Sequence, residues 1–379
     1  MVKQAGKVLK IGLVFDDSLD KPDGVQQYIL SVGQWLTSQG HEVHYLVGHT
    51  VRTDIERVHS LSRNFNVAFN GNQLSIPLPV KRRGLRQLLD KEQFDVLHVQ
   101  MPYSPWLAGR LIAAAPANTI IVGTFHIVAY SRLVQLATRG LALWTRRSLQ
   151  RFSKVVSVSS AAAIYAKATY GLETTVLPCV FDYQRFTQAT PILAPLAGGK
   201  IRILFLGRLV ERKGCQYLLE AVRLLHGRGI ANFEVVVCGK GPLLEKLTDY
   251  ARQQQLPVTF AGFVSEVDKP GYYASADIAV FPSTGGESFG IVLIEAMASG
   301  RSAVLAAANS GYASVMAPQP QLLVSPASAV ALADGLERLL TDPTARQAAA
   351  AWGQTYSQQF DTAVVSLKLL KLYRGSPRT

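Results

Sequence analysis

The sequence predicts an α/β protein of two doubly wound, Rossmann-like domains facing a central cleft. Three observations carry that expectation. The 379 residues exceed one ordinary domain of about 100–200 residues and suit two. Hydrophobic residues make up 48% and charged residues 17%, enough apolar matter for two cores and too little charge for a disordered chain. Continuous apolar runs alternate with helical patterns throughout, the mark of parallel strands covered on both faces.

In the first half, strands are predicted at 10–15, 42–47, 95–99, 119–125, 154–158 and 174–177. Helical patterns lie between most of them, beginning with 24–38. Residues 50–80 are irregular, and Asn70-Gly71 marks a hairpin excursion within them. In the second half, strands are predicted at 201–206, 233–238, 258–261, 278–281 and 303–305. Pro191, Pro195, Gly198 and Gly199 mark a linker. The expected division is 1–190, 191–355 and a C-terminal helix over 356–379 that packs back on the first domain.

The three cysteines, Cys179, Cys215 and Cys238, show neither CxxC spacing nor an even-numbered framework, which argues against a disulfide scaffold or structural zinc. No apolar run is long enough for a membrane-spanning helix. The apolar stretch at 9–15 contains Lys10 and runs into Asp16-Asp17, so it reads as a strand and not a signal peptide. A cytoplasmic protein is expected.

Net charge is +13 and unevenly spread: residues 1–190 hold 21 Lys+Arg against 12 Asp+Glu, and the remainder 18 against 14. Residues 96–172 contain eight basic side chains and no acidic one. Within them Arg139, Arg146, Arg147 and Arg151 interleave with Leu141, Leu143 and Trp144 at helical spacing. A second cluster comprises Lys81, Arg82, Arg83 and Arg86. Such segments attract anionic surfaces, and the interleaved apolar residues suit lipid better than nucleic acid. Peripheral attachment to the inner face of the cell membrane is expected.

Ligands of doubly wound sheets bind beyond the carboxyl ends of the strands. There the sequence carries GGESFGIVLIEAMASG (285–300), a glycine turn followed by a helix expected from about Phe289 to Gly300. The N–H groups of Phe289, Gly290 and Ile291 would lack helical partners and suit phosphate oxygens. Glu287 and Glu295 are suited to reading sugar hydroxyls. FLGRLVERKG (205–214) also follows a strand and offers Arg208 and Lys213 as a diphosphate clamp.

Glu287-x7-Glu295 together with FLGRLVERKG resembles family 4 of the retaining GT-B glycosyltransferases. SLDKPDGVQQYIL, GHEVHYL, DVLHVQMPYSP, GTFH and GGESFGIVLIEAM are similar to the phosphatidyl-myo-inositol mannosyltransferases. The resemblance runs from about Lys10 to Ala313 and implies an acceptor-binding first domain and a donor-binding second one. It implies that Arg208 and Lys213 bind the donor pyrophosphate, Glu287 the hexose and Glu295 the ribose. Val264, the last residue of GFV, and Lys269, in the loop after it, join the donor site with Phe289, Gly290 and Ile291. His126 would stand beside the donor sugar at the reaction centre, and Gly24 would let its turn approach the phosphates. Asp20, Asp23 and Gln26 are the acceptor candidates.

The implied co-substrate is GDP-mannose, with UDP-glucose or another UDP-hexose as the alternative, and the implied acceptor is an anionic or lipid-linked molecule. The implied reaction is retaining and front-faced, needs no enzymic nucleophile, and uses no cofactor. No Asp-x-Asp motif occurs, so no metal is expected. This chain departs from the family's paired glycine at Asp23-Gly24, from its usual Pro-Asn-Gly-Val-Asp at Pro178-Cys179-Val180-Phe181-Asp182, and from its aromatic residue at Asp17.

His41-Glu-Val-His44 is not the helical HExxH of zinc proteases, and strand alternation would turn its histidines to opposite faces. Gly239-Lys-Gly241 lacks the third glycine of a dinucleotide fingerprint. The context of Glu287 and Glu295 disfavours a glycosidase pair. A basic nucleic-acid-binding protein is the rival class, but no recognition motif supports it.

Overall fold

The computed structural model describes residues 7–20, 23–69, 72–78, 80–102, 104–128 and 132–375, with only backbone for 66–69, 72–76 and 132–137. Two compact units emerge: one of residues 1–181 with 362–379, the other of 182–361.

The first unit opens with β1 (Lys10–Phe15), α1 (Gly24–Ser38), β2 (Glu42–Val47), β3 (Val58–Ser60), β4 (Asn64–Phe69) and β5 (Asn72–Pro77). It continues with α2 (Arg82–Glu92), β6 (Val96–Gln100), α3 (Leu107–Ala114), β7 (Ile120–Phe125) and α4 (Arg132–Leu149). β8 (Lys154–Ser157), α5 (Ser160–Tyr170) and β9 (Thr175–Val176) follow. Seven parallel strands form one sheet in the order β3-β2-β1-β6-β7-β8-β9.

β1 shows why this chain segment lies at the centre. Ile11, Leu13 and Phe15 enter a core with Tyr28, Ile29, Val32 and Leu36 of α1, whereas Val14 enters the opposite core with Leu85 and Leu89 of α2 and Leu107 and Leu111 of α3. A strand apolar on both faces is stable only when helices cover both sides. β6 begins one residue later than predicted because the Asp95 carboxylate accepts the Lys10 N–H (2.8 Å) and the Lys7 ammonium (2.7 Å). The irregular stretch holds β3, a short edge strand of the seven-stranded sheet that the sequence reading does not predict, and the antiparallel pair β4–β5. The Asn70-Gly71 turn expected between them lies outside the described residues, as do Lys21, Pro22 and Tyr103 of the quoted motifs.

The second unit comprises α6 (Tyr183–Thr187), β10 (Ile201–Leu206), α7 (Cys215–Gly227), β11 (Phe233–Cys238), α8 (Leu244–Gln253), β12 (Val258–Gly262) and α9 (Lys269–Ala274). β13 (Ile278–Phe281), α10 (Ile291–Ala298), β14 (Ala303–Ala307), α11 (Ser310–Met316), β15 (Leu323–Val324), α12 (Ala329–Thr341) and α13 (Pro343–Ser357) complete it. Its six parallel strands run β12-β11-β10-β13-β14-β15. In both sheets the order reverses beside the first strand, between β1 and β6 and between β10 and β13.

The unit boundaries differ from the expected 190/191 and 355/356. Residues 191–199 are not a free linker: Ile192 and Leu193 donate to Ser275 Oγ (2.9 and 3.0 Å), and Arg202 donates to the Ala194 carbonyl (2.8 Å). Asp182 caps α6, and Thr187 donates to the Ala298 carbonyl (3.2 Å). At the other end, Asp361 accepts the Tyr183 N–H (3.2 Å), which keeps the second unit intact to that residue.

α14 (Thr362–Tyr373) returns to the first unit, where Val365, Leu369, Leu370 and Tyr373 are buried in the core built on β1 and α1. Leu369→Ala is therefore expected to lower that unit's stability by about 2–5 kcal/mol, measured by urea unfolding, with the second unit's transition unmoved.

Candidate functional site

The second unit concentrates charge where its strand order reverses. β10 and β13 are hydrogen-bonded neighbours, Ile203 opposite Ile278, so the loops after both strands emerge side by side. Glu287 comes from the loop after β13, and Arg212 and Lys213 from the loop after β10. Glu287 Oε1 lies 2.8 Å from both cations and accepts a third hydrogen bond from Ser283 Oγ (2.9 Å). Burial works to raise its pKa, but the charges of Lys213 and Arg212 outweigh it and hold the pKa below the ordinary glutamate value.

Glu295 lies inside α10 with 2% of its surface exposed, and Lys269 at the start of α9 reaches it at 2.8 Å. Lys269 also pairs with Glu266 at 2.8 Å. Burial works against the lysine's charge, and the two carboxylates overcome it and raise its pKa. With one cation between two acids, burial raises the Glu295 pKa despite Lys269. Glu295 Oε2 has no hydrogen-bond partner among the described residues. The simple alternative of an exposed helix acid is excluded by this burial.

Two glycines let these loops close. Gly290 has φ +106°, and a Cβ there would lie 2.6 Å from the Tyr312 ring. Gly214, at φ +76°, starts α7 against the Pro282 carbonyl, where no Cβ fits. α10 begins at Ile291, two residues later than predicted, because Gly290 occupies the left-handed region and Phe289 leaves the helix to pack on Phe360 (ring centroids 5.6 Å). Gly300 follows the helix at φ +65°. Arg208 is exposed in the loop after β10, and Val264 is half-buried after β12.

In the first unit, His126 follows β7 and is 8% exposed. Its Nε2 is 2.7 Å from Gln100 Oε1, and its ring stands edge-on to Tyr28 at 5.3 Å. Burial depresses its pKa to about 3, leaving it neutral. Asp23 does not project as a free charge. It is the N-cap of α1 and accepts from the N–H groups of Val25 (3.1 Å) and Gln26 (3.5 Å), a favourable place for an anion. Gly24 opens that helix with empty space where a side chain would be. Asp20 accepts from Ser18, Thr50 and Val51; burial opposes its charge, but the Ser18 and Thr50 hydrogen bonds prevail and lower its pKa. Gln26 is buried, donates to the Ser18 carbonyl (3.0 Å), and leaves its Oε1 unpartnered among the described residues.

The basic clusters divide. Lys81, Arg82, Arg83 and Arg86 are exposed at the start of α2, and Arg139, Arg146 and Arg147 are exposed on α4. Leu143 and Trp144 between them are 76% and 65% exposed. Arg151 does not belong to this surface, because its guanidinium donates to the carbonyls of Ile112 and Ala115 at the end of α3. Among the described residues no helix is long and apolar enough to cross a membrane.

His41 Nδ1 accepts the Leu9 N–H (3.1 Å), while His44 shares a hydrogen bond with His59 (2.9 Å) and another with Glu42 (2.8 Å). His44, His59 and Glu92 lie close enough to surround one cation, a grouping no sequence spacing announced. The Lys10 ammonium stands there, 2.6 Å from Glu92 and 3.0 Å from Glu42. Sequence reasoning also missed Arg212 and Ser283 on Glu287; only the adjacency of Arg212 to Lys213 hinted at the first.

The model of Glycosyl transferases group 1 matches residues 194–356, and that of Glycosyltransferase Family 4 matches residues 22–185. The chain is 30% identical over 369 residues to the phosphatidyl-myo-inositol mannosyltransferase of Mycolicibacterium smegmatis, covering 96% of this chain and 93% of that protein. To the same-named protein of Mycobacterium tuberculosis it is 29% identical over 373 residues, covering 96% of each. In fold it is similar to sucrose-phosphate synthase from Thermosynechococcus elongatus (TM-score 0.73, 20% identity, 96% of this chain and 98% of that one). It is also similar to WaaG, a glycosyltransferase involved in lipopolysaccharide biosynthesis (TM-score 0.70, 18% identity, 96% and 100%).

Because the folded pKa of Glu287 lies below its unfolded value, the unfolded chain takes up this proton first as pH falls. The ion pairs' contribution is complete above the unfolded pKa and is lost as pH drops through the folded one. Glu287→Gln is expected to lose about 3–5 kcal/mol at neutral pH, and its deficit in thermal unfolding should shrink in acid.

Proposed function

The chain belongs to glycosyltransferase family 4, with the GT-B fold, and from that premise we propose that it moves mannose from GDP-mannose onto a membrane lipid such as phosphatidylinositol, with retention. The observation that carries the donor half of this reading is the pair of cation-paired carboxylates in the second unit, the half-buried Glu287 and the buried Glu295. A sugar hydroxyl donates well to a carboxylate, and Glu295 Oε2 has an unfilled acceptor position. Glu287 accordingly reads the hexose and Glu295 the ribose. Arg208 and Lys213 neutralise the diphosphate, and the N–H groups at 289–291 add donors at the helix start. Lys269 pairs with Glu295, and Val264 lines the adjacent loop.

Gly24 and His126 are the first unit's candidates for the donor's phosphates and hexose. Asp20 and Gln26 remain the acceptor candidates, and Asp23 contributes by fixing the helix that carries Gln26. The choice of mannose and of a lipid acceptor rests on the named relatives. The acceptor oxygen bonds to the anomeric carbon on the face from which the phosphate departs, the carbon–phosphate oxygen bond breaks, and a phosphate oxygen takes the proton. The positive charges of Arg208 and Lys213 beside the leaving diphosphate supply the stabilisation otherwise given by a metal.

The exposed arginines of α2 and α4, with Leu143 and Trp144 between them, support attachment at an anionic lipid surface on the cytoplasmic face.

Incubation with a panel of sugar nucleotides and phosphatidylinositol vesicles, read by mass spectrometry, should yield a mannosyl lipid from GDP-mannose. Arg208→Ala should lower that transfer by about 10²–10³-fold; normal turnover by this variant would remove the residue from the donor site. Anomeric analysis of the product tests retention.

Reversing Arg82, Arg83, Arg86, Arg139, Arg146 and Arg147 to Glu should abolish sedimentation with anionic vesicles and spare donor affinity. Each basic residue contributes about 1 kcal/mol near such a surface, so wild-type binding should weaken with salt, leaving a remainder from Leu143 and Trp144. Undiminished sedimentation of the folded variant overturns the attachment.

A further inference from the structure

The sheet of the first unit contains a buried hydrogen-bonded line that runs from the C-terminal helix to His126. Tyr373, wholly buried on α14, has its hydroxyl 2.6 Å from His98 Nδ1. His98, wholly buried on β6, has its Nε2 3.1 Å from Gln100 Nε2 and 2.6 Å from Thr124 Oγ1. Gln100, at the end of the same strand and also wholly buried, presents Oε1 to His126 Nε2 at 2.7 Å. Residues 98 and 100 share one side of β6 by strand alternation, which aligns the two links.

We propose that Gln100, His98 and Tyr373 are positioning residues that hold His126 in the tautomer protonated at Nε2. The inference rests on the proposed place of His126 beside the transferred sugar. An amide has one accepting and one donating end, so Gln100 transmits polarity along the line. The His126 Nε2–H donates to Gln100 Oε1, and the Gln100 amide N–H donates to His98 Nε2. His98 consequently carries its proton on Nδ1 and donates to the Tyr373 oxygen. The single Nε2 lone pair of His98 is shared between the Gln100 amide and the Thr124 hydroxyl, which donates to it in a bifurcated arrangement. Both histidines are neutral, held so by burial, which makes the tautomer the only remaining variable of His126. With Nε2 committed to Gln100, Nδ1 is the nitrogen left to accept a hydroxyl of the sugar. Loss of the Gln100 oxygen frees the ring to exchange tautomers and to rotate, which misorients the sugar without touching the diphosphate site.

The test uses the full chain labelled with ¹⁵N-histidine. Long-range ¹H–¹⁵N spectra of the seven histidines report each tautomer, with His126→Gln and His98→Asn assigning the two signals. Wild type should have His126 protonated at Nε2 and His98 at Nδ1. Gln100→Met, close in volume but without the amide, should give a mixed His126 tautomer and a kcat lower by roughly 10–100-fold, with donor Kd unchanged. Gln100→Glu keeps an acceptor oxygen and should restore the His126 tautomer and most of kcat. Tyr373→Phe, which removes one hydroxyl and keeps the ring in the core, should mix the His98 tautomers and serves if Gln100→Met does not fold. A wild-type His126 protonated at Nδ1 overturns the proposal. So does a tautomer change at His126 with unaltered kcat, or a kcat loss with an unaltered tautomer. If wild-type protein transfers no sugar from any nucleotide, the proposed function fails instead, and the spectra still decide the hydrogen-bonded line.

Discussion

Two glutamates of the second unit, the half-buried Glu287 and the buried Glu295, each meet cations, and the loops around them are arranged to bring those partners together. A buried carboxylate without partners is costly enough to take up a proton. Glu287 avoids this by meeting Arg212 and Lys213, and Glu295 meets Lys269. These partners come from loops and helices far apart in the chain, so each pair ties the loop after β10 to that after β13, or α9 to α10. The requirement extends to the backbone. Only glycine at 214 and 290 lets α7 and α10 start as close to Pro282 and Tyr312 as the pairs demand.

Strand order explains why the charges gather there. In the second sheet the strand order reverses between β10 and β13, the kind of switch point beyond whose strand ends ligands bind. The loops after the two strands are consequently left to face a ligand, and they carry FLGRLVERKG and GGESFG. A sheet of the same order in the first unit places Asp20, Gly24 and His126 on loops after β1 and β7. The two units thus apply one architectural rule to different chemistry: ion pairs in one, neutral histidines and capped turns in the other.

The first unit carries exposed arginines on α2 and α4, while His98 and His126 within it are stripped of charge by burial. α14 is essential to that interior, since Tyr373 both fills the core beside β1 and meets His98. A helix from the far end of the chain is therefore part of the surroundings of His126.

The sequence alone determined the α/β class, the two parallel sheets and the position of nearly every central strand. Apolar runs such as 10–15 and 201–206 have no stable home other than a sheet covered on both faces. It also located Glu287, Arg208 and Lys213 after strand ends and Glu295 in the helix that follows, because glycine turns and charged clusters after apolar runs are local patterns. Tertiary structure alone decided which charges are partners. Lys269 and Glu295 are 26 residues apart, Arg212 and Glu287 are 75 apart, and Tyr373 and His98 are 275 apart. Short edge strands such as β3 and β15 were illegible because they gain their stability from a neighbour and not from their own composition. Arg151 looked like its exposed neighbours until its carbonyl partners were known. Whether a charge is free or paired depends on what folds against it, and spacing along the chain does not carry that information.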